Sequence, residues 1–300
     1  MQHGPTREAT MTRGVRAVIA VLVGSVAMLA ASGGASATSR PSKDQPGWTP
    51  VSYSHGVLLA DRRSVTEPDG HVITIYRFKA GTVRFALHTG SLDPPGVAQL
   101  VGPGAGPRIS AAEAPHVIAA FNGGFKVATG SGGFEVNSRV FVALRGSIAS
   151  LVIDASGAAR VGTWGSHLPV AGEHVVAVRQ NLQPLISGGR LSALITDWGA
   201  WGATVGGLSS VARSSLGEDR QGNLLYAASM SALPVDLGNA LLTAGAIQAM
   251  ELDINPDWIQ MDSTPRPGGP LVAGIPHQSV PGNQYNIGWT RDFVTVMAVK

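Results

Sequence analysis

Apolar and polar residues alternate along Val83-Arg84-Phe85-Ala86-Leu87-His88, which places Val83, Phe85 and Leu87 on one face of a strand. Just upstream, Val72-Ile73-Thr74-Ile75-Tyr76-Arg77-Phe78 is rich in β-branched and aromatic residues between Asp69-Gly70 and Ala80-Gly81, and the two runs predict a hairpin. Residues 89–108, dense in Gly and Pro, predict a loop. Ser110 and Glu113 have capping-box spacing and predict a short helix that Pro115 ends. Val117 to Phe121 is apolar without a break, the pattern of a strand buried on both faces. Two further hairpins are predicted: residues 151–154 with 159–161 around Ala155-Ser156-Gly157, and residues 214–217 with 224–227 around Gln221-Gly222-Asn223. Residues 175–178 predict a strand of their own. The best helical pattern runs from Val235 to Ala244, with Asp236 near its start, Leu237, Leu241 and Leu242 on one face, and Gly245 to end it. A strand over residues 247–253 follows at once, and residues 293–298 predict a closing strand. Strands outnumber helices, and one helix–strand crossover is clear. The predicted class is therefore α+β: mixed, mostly antiparallel β-sheets with a few helices packed on their outer faces.

The N-terminal pattern is of another kind. Arg7, Arg13 and Arg16 precede an uncharged, mostly aliphatic run from Ala17 to Ala31, and Ala35-Ser36-Ala37 has the small-x-small form that signal peptidase requires. The 15-residue run is shorter than the roughly 20 residues that span a bilayer. Residues 1–37 are thus predicted to be a cleavable signal peptide and residues 38–50, polar with three prolines, a disordered leader. Residues 51–300 then form one secreted domain in the extracellular space or cell envelope, with no stable membrane span after signal cleavage. Removing the signal peptide's three Arg and one Glu from 22 basic and 19 acidic residues leaves a net charge of +1, with no basic run, which argues against a nucleic-acid partner. The absence of Cys excludes disulfides.

Three segments could carry chemistry. Asn122-Gly123-Gly124-Phe125 follows the buried strand directly: two glycines at a strand end allow a sharp turn or close backbone approach to a ligand, and Asn122 offers a donor and an acceptor. A tight turn with Asn122 in the left-handed region is the plainer alternative. On a strand, Glu251 and Asp253 share a face opposite Met250 and Leu252, a face the predicted helix would cover, and mutual repulsion between the carboxylates would raise at least one pKa. They could also ligate a divalent cation through hard oxygen atoms, or form a structural pair held by Arg. Trp258 could stack on a sugar or lie in the core. Arg213 could grip a phosphate, or neutralise Glu251 or Asp253. The histidines show no HxH or HExxH spacing, and neither a GxSxG elbow nor a P-loop is present.

In this order, the segments resemble the phosphodiester glycosidase family. Asn122-Gly123-Gly124-Phe125 is similar to its Asn-Gly-Gly-Phe segment, and Arg213-Ser214-Ser215-Leu216-Gly217 to its Arg-(Thr/Ser)-x-(Ile/Leu)-Gly segment. Met250-Glu251-Leu252-Asp253 resembles the strand that ends in Leu-Asp-Gly-Gly-Gly-Ser, and Arg179-Gln180-Asn181 with Gly188-Gly189 falls where the family has a strand and turn. The likeness covers roughly residues 80–260. The glycine run is replaced by Ile254-Asn255-Pro256-Asp257, a form that looks like an actinobacterial-type branch, and Pro256 has no N–H for an anion. The resemblance implies a secreted hydrolase cleaving the glycosidic bond of a sugar 1-phosphodiester in an extracellular or cell-envelope glycan. Arg213 would bind the phosphodiester, and Asp253 and Glu251 would supply nucleophile, base and acid functions. Asn122, Gly123, Gly124, Phe125, Gly217 and Trp258 would contact the glycan or sugar phosphate. The resemblance implies no definite cofactor, and a divalent cation near Asp253 fits the chemistry. The lost glycine run equally suits a non-catalytic exported module that binds glycan or phosphate.

Overall fold

The structure, a computed structural model, describes residues 47–94 and 106–299. The predicted signal peptide, residues 38–46 of the predicted leader and residues 95–105 of the predicted loop lie outside the described residues. In chain order the strands are β1 (Thr49–Ser54), β2 (Val57–Thr66), β3 (Val72–Phe78), β4 (Val83–His88), β5 (Val117–Asn122), β6 (Phe134–Val136), β7 (Arg139–Val142), β8 (Ala149–Asp154) and β9 (Ala159–Thr163). They continue as β10 (Val175–Gln180), β11 (Ile186–Ser187), β12 (Arg190–Leu191), β13 (Val211–Asp219), β14 (Leu224–Ala232), β15 (Ala246–Glu251), β16 (Met261–Ser263), β17 (Val272–Ala273) and β18 (Phe293–Ala298). Helix α1 (Pro234–Thr243) precedes β15, and α2 (Gln284–Ile287) is a single turn before β18.

Three sheets result, with every pairing between these strands antiparallel. Sheet one runs β1-β2-β3-β14-β13-β15-β11-β12, sheet two β7-β6-β10-β8-β9, and sheet three β17-β16-β5-β18-β4. All three contribute to one core, where Phe78, Tyr226, Leu216, Met250 and Leu252 meet Phe134, Leu151 and Ile153, and Phe121, Val294 and Val296. Phe121 stacks on Phe78, 6.1 Å between ring centroids, and lies 5.0 Å from Tyr226, which ties sheets one and three together.

The architecture is essentially all-β, which corrects the α+β expectation. The described residues hold one α-helix of ten residues and one of four, not a set of helices over the sheet faces. Helix α1 forms where its pattern predicts: Pro234 opens it, the Leu233 N–H donates to Asp236 Oδ2 at 2.8 Å, and Gly245 follows at φ +100°. Leu237 and Leu241 pack on Ile73, Ile75, Leu225, Ala227 and Ala249 of sheet one. That is the Glu251 face of β15. Met250 and Leu252, expected on the opposite face from the carboxylates, do lie there, but in the core shared by the sheets rather than under the helix.

The predicted β3–β4 hairpin is also corrected. β3 pairs with β2 and β14, and β4 with β18, so consecutive strands belong to different sheets. Their connection is held elsewhere: Lys79 N–H donates to Leu59 O at 2.9 Å, and Ala80 N–H to Asn223 Oδ1 at 2.9 Å. β3 is buried on both faces and needs neighbours on both edges, which a hairpin partner alone could not supply. The capping chemistry of Ser110 and Glu113 is present, with Ser110 N–H donating to Glu113 Oε2 at 3.0 Å and Glu113 N–H to Ser110 Oγ at 3.3 Å, but it closes a turn before β5 rather than a helix. Pairing begins at Thr49, inside the predicted leader, because Trp48 is buried with the Arg77 guanidinium 3.9 Å from its ring centroid. Arg77 is itself fixed to Asp61 at 2.6 Å. β5, the β8–β9 and β13–β14 hairpins, β10 and β18 form where the alternation places them.

Candidate active site

The ends of strands from all three sheets converge: β5 from sheet three, β10 from sheet two, and β13 and β15 from sheet one, joined by the residues just before β18. Asn122 ends β5 and is buried, with both of its functions used. Its Oδ1 accepts from Tyr226 OH at 2.7 Å and Gln260 N–H at 3.3 Å, and its Nδ2 donates to Ser214 Oγ at 3.0 Å. It is extended strand, not a left-handed turn residue. Ser214 links onward, taking the Asp253 N–H on its hydroxyl at 3.2 Å.

The two glycines are needed for close approach, though to protein rather than ligand. A Cβ on Gly123 would stand 1.8 Å from Asp292 Oδ2, and one on Gly124 would stand 3.0 Å from the Arg179 guanidinium. Arg179 Nε donates to Asp292 Oδ2 at 2.8 Å, and its Nη2 donates to Phe125 O. This buried pair clamps the Asn122–Phe125 turn between β10 and β18.

Two arginine–carboxylate pairs then occupy neighbouring positions. Arg213 on β13 is wholly buried; it donates to Glu251 Oε1 at 2.7 Å, to Ala232 O at 3.0 Å and to Trp201 O at 3.3 Å. Burial holds the Glu251 carboxyl well above the ordinary carboxylate range, while Arg213 pulls it down. Of the roles open to Arg213, neutralising Glu251 is the one this geometry fits, and the pair does not line the cleft. Gly217 does not reach it either: a Cβ there would meet Ala246, Gln248 and Leu241 beneath α1.

Asp253 sits two residues past Glu251, beyond the end of β15, at the floor of a cleft of about 500 Å³. Phe125, Lys126, Trp258, Ile254, Asn255 and Arg291 are among the residues around it. Its Oδ1 accepts the Ile254 and Asn255 N–H groups at 2.8 and 3.0 Å, and its Oδ2 faces Arg291 Nη2 at 3.2 Å. Burial raises its pKa to about 6, against the pull of Arg291 and of the two amides. Arg291 also donates to Gly124 O at 2.9 Å, pairs through Nε with Asp93 Oδ2 at 3.2 Å, and lies 5.1 Å from the Trp258 ring centroid. Trp258 is half-buried, edge-to-face with Trp289, and has Lys126 Nζ 6.0 Å from its ring centroid. It is therefore one wall of the cleft.

Of the predicted residues, the fold brings Asp253, Phe125 and Trp258 to the cleft, sets Asn122, Gly123 and Gly124 behind it as support, and withdraws Glu251, Arg213 and Gly217. The sequence reading missed Arg291, Asp292 and Asp93. Arg291-Asp292 directly precedes the closing strand, and a charged pair at the mouth of an otherwise apolar strand was the one local signal available. Among the described residues, no group of three or more His, Asp or Glu is placed to hold a metal ion. With Asp253 Oδ1 on two amides and Oδ2 on a guanidinium, its carboxylate does not fit the cation site envisaged there.

No protein-family model matches the sequence, and no curated protein is similar to it. Among solved structures, the chain is similar to the catalytic domain of zebrafish N-acetylglucosamine-1-phosphodiester alpha-N-acetylglucosaminidase, auto-inhibited by its pro-peptide. That likeness has a TM-score of 0.51 at 13% identity, over 84% of this chain and 88% of that one. A hypothetical protein from Synechocystis aligns with a TM-score of 0.49 at 14% identity, over 80% of this chain and 62% of that one. A putative exported protein from Burkholderia pseudomallei K96243 aligns with a TM-score of 0.38 at 14% identity, over 76% and 74%. At such identity the zebrafish likeness shows a shared fold.

Proposed function

We propose that the protein is an exported hydrolase that cleaves the glycosidic bond of a sugar 1-phosphodiester, with Asp253 as its proton-carrying group. The observation that carries this reading is a buried carboxyl fixed at the floor of a cleft, against a guanidinium and beneath an indole. A sugar ring stacks on Trp258, and Arg291 with Lys126 holds the phosphodiester charge. As the C1–O bond breaks, its electron pair leaves with the phosphate oxygen. Water supplies the hydroxyl at C1, and one proton passes from that water to the products by way of Asp253. A phosphate ester departs as a stable anion. One carboxyl in the cleft therefore meets a demand that cleavage between two sugars places on a pair. The fold shared with a protein named as a phosphodiester glucosaminidase supports the same reaction class.

A second reading rests on a specific observation. The amides of Ile254 and Asn255 are used by Asp253 itself, and Glu251 is withdrawn. That leaves a cleft suited to binding glycan or phosphate without turnover. The deciding experiment is product release from UDP-GlcNAc and from para-nitrophenyl sugar 1-phosphodiesters, with wild type beside Asp253→Asn. Turnover by wild type alone supports the hydrolase. No turnover by a folded wild type that still binds these compounds supports the binding module.

A further inference from the structure

The two ends of the Arg291 guanidinium are held unequally. Nε meets Asp93 Oδ2 at 3.2 Å, and Asp93 is anchored in turn by the Val127 N–H, 3.2 Å from each of its oxygens. At the other end, Nη2 divides between Gly124 O at 2.9 Å and Asp253 Oδ2 at 3.2 Å. Asp253 is unequal in the same way: Oδ1 is fixed by two backbone amides and cannot leave, while Oδ2 has only Arg291. Nε makes no hydrogen bond, so its contact with Asp93 is one of charge alone, and it lies away from the cleft lining. Of the two hydrogen bonds of Nη2, the longer joins two opposite charges at the floor of the cleft, where an incoming anion can reach it.

We propose that a phosphodiester monoanion binds by taking the Arg291 Nη2 edge from Asp253, and that Asp253 takes up a proton as it loses its partner. This rests on the reading of the cleft as a sugar-phosphodiester site and deepens it: substrate binding itself converts Asp253 to the acid that protonates the departing oxygen. The surrounding charges favour that exchange. Facing Asp253 are Arg291 and Asp292 from the segment before β18, Asp93 behind Arg291, Arg179 from β10 behind Asp292, Lys126 after β5, the Arg213–Glu251 pair from β13 and β15, and Tyr226 from β14. Within the inner set, Asp93, Asp253 and Asp292 outnumber Arg179 and Arg291 by one, so a further anion is accommodated most readily once one carboxyl is neutral. Of the three, Asp253 is the one that lines the cleft. The burial that already lifts its titration towards neutrality places the change in an accessible range.

The test uses dimethyl phosphate, which carries one charge from pH 5 to 8, and carbon NMR of the Asp253 carboxyl, assigned with Asp253→Asn. Saturation with the anion is expected to raise the Asp253 titration midpoint by about one pH unit or more, the scale of losing an opposite charge at this distance. By reciprocity, dimethyl phosphate should bind wild type about tenfold or more weakly at pH 8 than at pH 5, and Asp253→Asn should abolish that dependence. Binding with an unmoved midpoint, or the same pH dependence in the variant, overturns the coupling and leaves the cleft reading standing. Absence of binding at every pH overturns both.

Discussion

Arg213–Glu251 and Arg291–Asp253 are made of the same groups, and their carboxylates lie two residues apart in the chain. The first is sealed: 2.7 Å between charges, with both side chains almost wholly buried and three backbone carbonyls around the guanidinium. The second is looser, at 3.2 Å, and forms the floor of a cleft. The contrast teaches that an arginine–carboxylate pair is assigned a role by what else its atoms must do. Every donor of Arg213 that has a partner points into protein, so it can only hold β13 to β15 and to the Trp201 segment. Arg291 keeps one edge on a carboxylate that lines the cleft.

Cutting each pair separates the two roles. Replacing Glu251 with Ala strands the Arg213 charge in the core and is expected to cost about 3–5 kcal/mol of stability, measured by denaturant unfolding. Replacing both partners with apolar residues of similar size should recover much of that loss. The matching change at Asp253, to Asn, should leave the unfolding midpoint close to wild type while lowering kcat by about 10²–10⁴-fold on any diester the wild type turns over. If Glu251→Ala folds normally and loses activity instead, the two pairs have been assigned the wrong way round. Gly123→Ala tests the support between them: the new methyl would displace Asp292 from Arg179, for an expected loss of about 1–3 kcal/mol in thermal or chemical unfolding. The smallest effect is expected of Trp258→Ala, about 0.5–1.5 kcal/mol of affinity for a sugar phosphodiester with stability little changed, read by isothermal titration.

Titration sharpens the contrast further. Asp253 is raised to about 6, and Asp262, buried beneath Gln260 and Gln278, to about 7. A carboxyl whose folded pKa exceeds its unfolded one contributes stability that is fully present below the unfolded value and lost as pH rises through the folded value. Thermal stability should therefore decline between about pH 4 and pH 7 from these two groups. A scan of melting temperature across that window checks it, and a rise in place of the decline would refute it.

What could be read in advance was local. The alternation in Val83–His88, the unbroken apolar run of β5 and the leucine face of α1 each report on a single element's surroundings, and each formed as expected. Pairing across the chain is invisible to such patterns. β3 and β4 looked like hairpin partners because they are adjacent in sequence, yet β3 pairs with strands on either side of it in sheet one and β4 joins a strand more than two hundred residues away. β2 went unrecognised because Asp61, Arg62 and Arg63 break its apolar pattern, and the buried Asp61–Arg77 bond that justifies one of those charges is itself a tertiary contact. The site was legible to the same depth. Asn122-Gly123-Gly124 and Asp253 mark strand ends that meet in space. That Gly123 yields to Asp292, and that Asp253 answers to Arg291 rather than Arg213, depends on a segment that begins 38 residues beyond Asp253.

The position of β18 sets an order of events. It lies between β4 and β5, strands that precede it by about 170 to 215 residues, and the Arg291-Asp292 dipeptide that completes the cleft enters just ahead of it. Sheet three can therefore close only after almost the whole described chain has been synthesised, and until then β4 and β5 each lack a neighbour. Such distant pairing slows folding. Under the export proposed above, a late closure of this kind would leave time for passage across the membrane in an unfolded state. A ribosome-stalled chain ending before residue 290 should lack both a closed third sheet and a formed cleft.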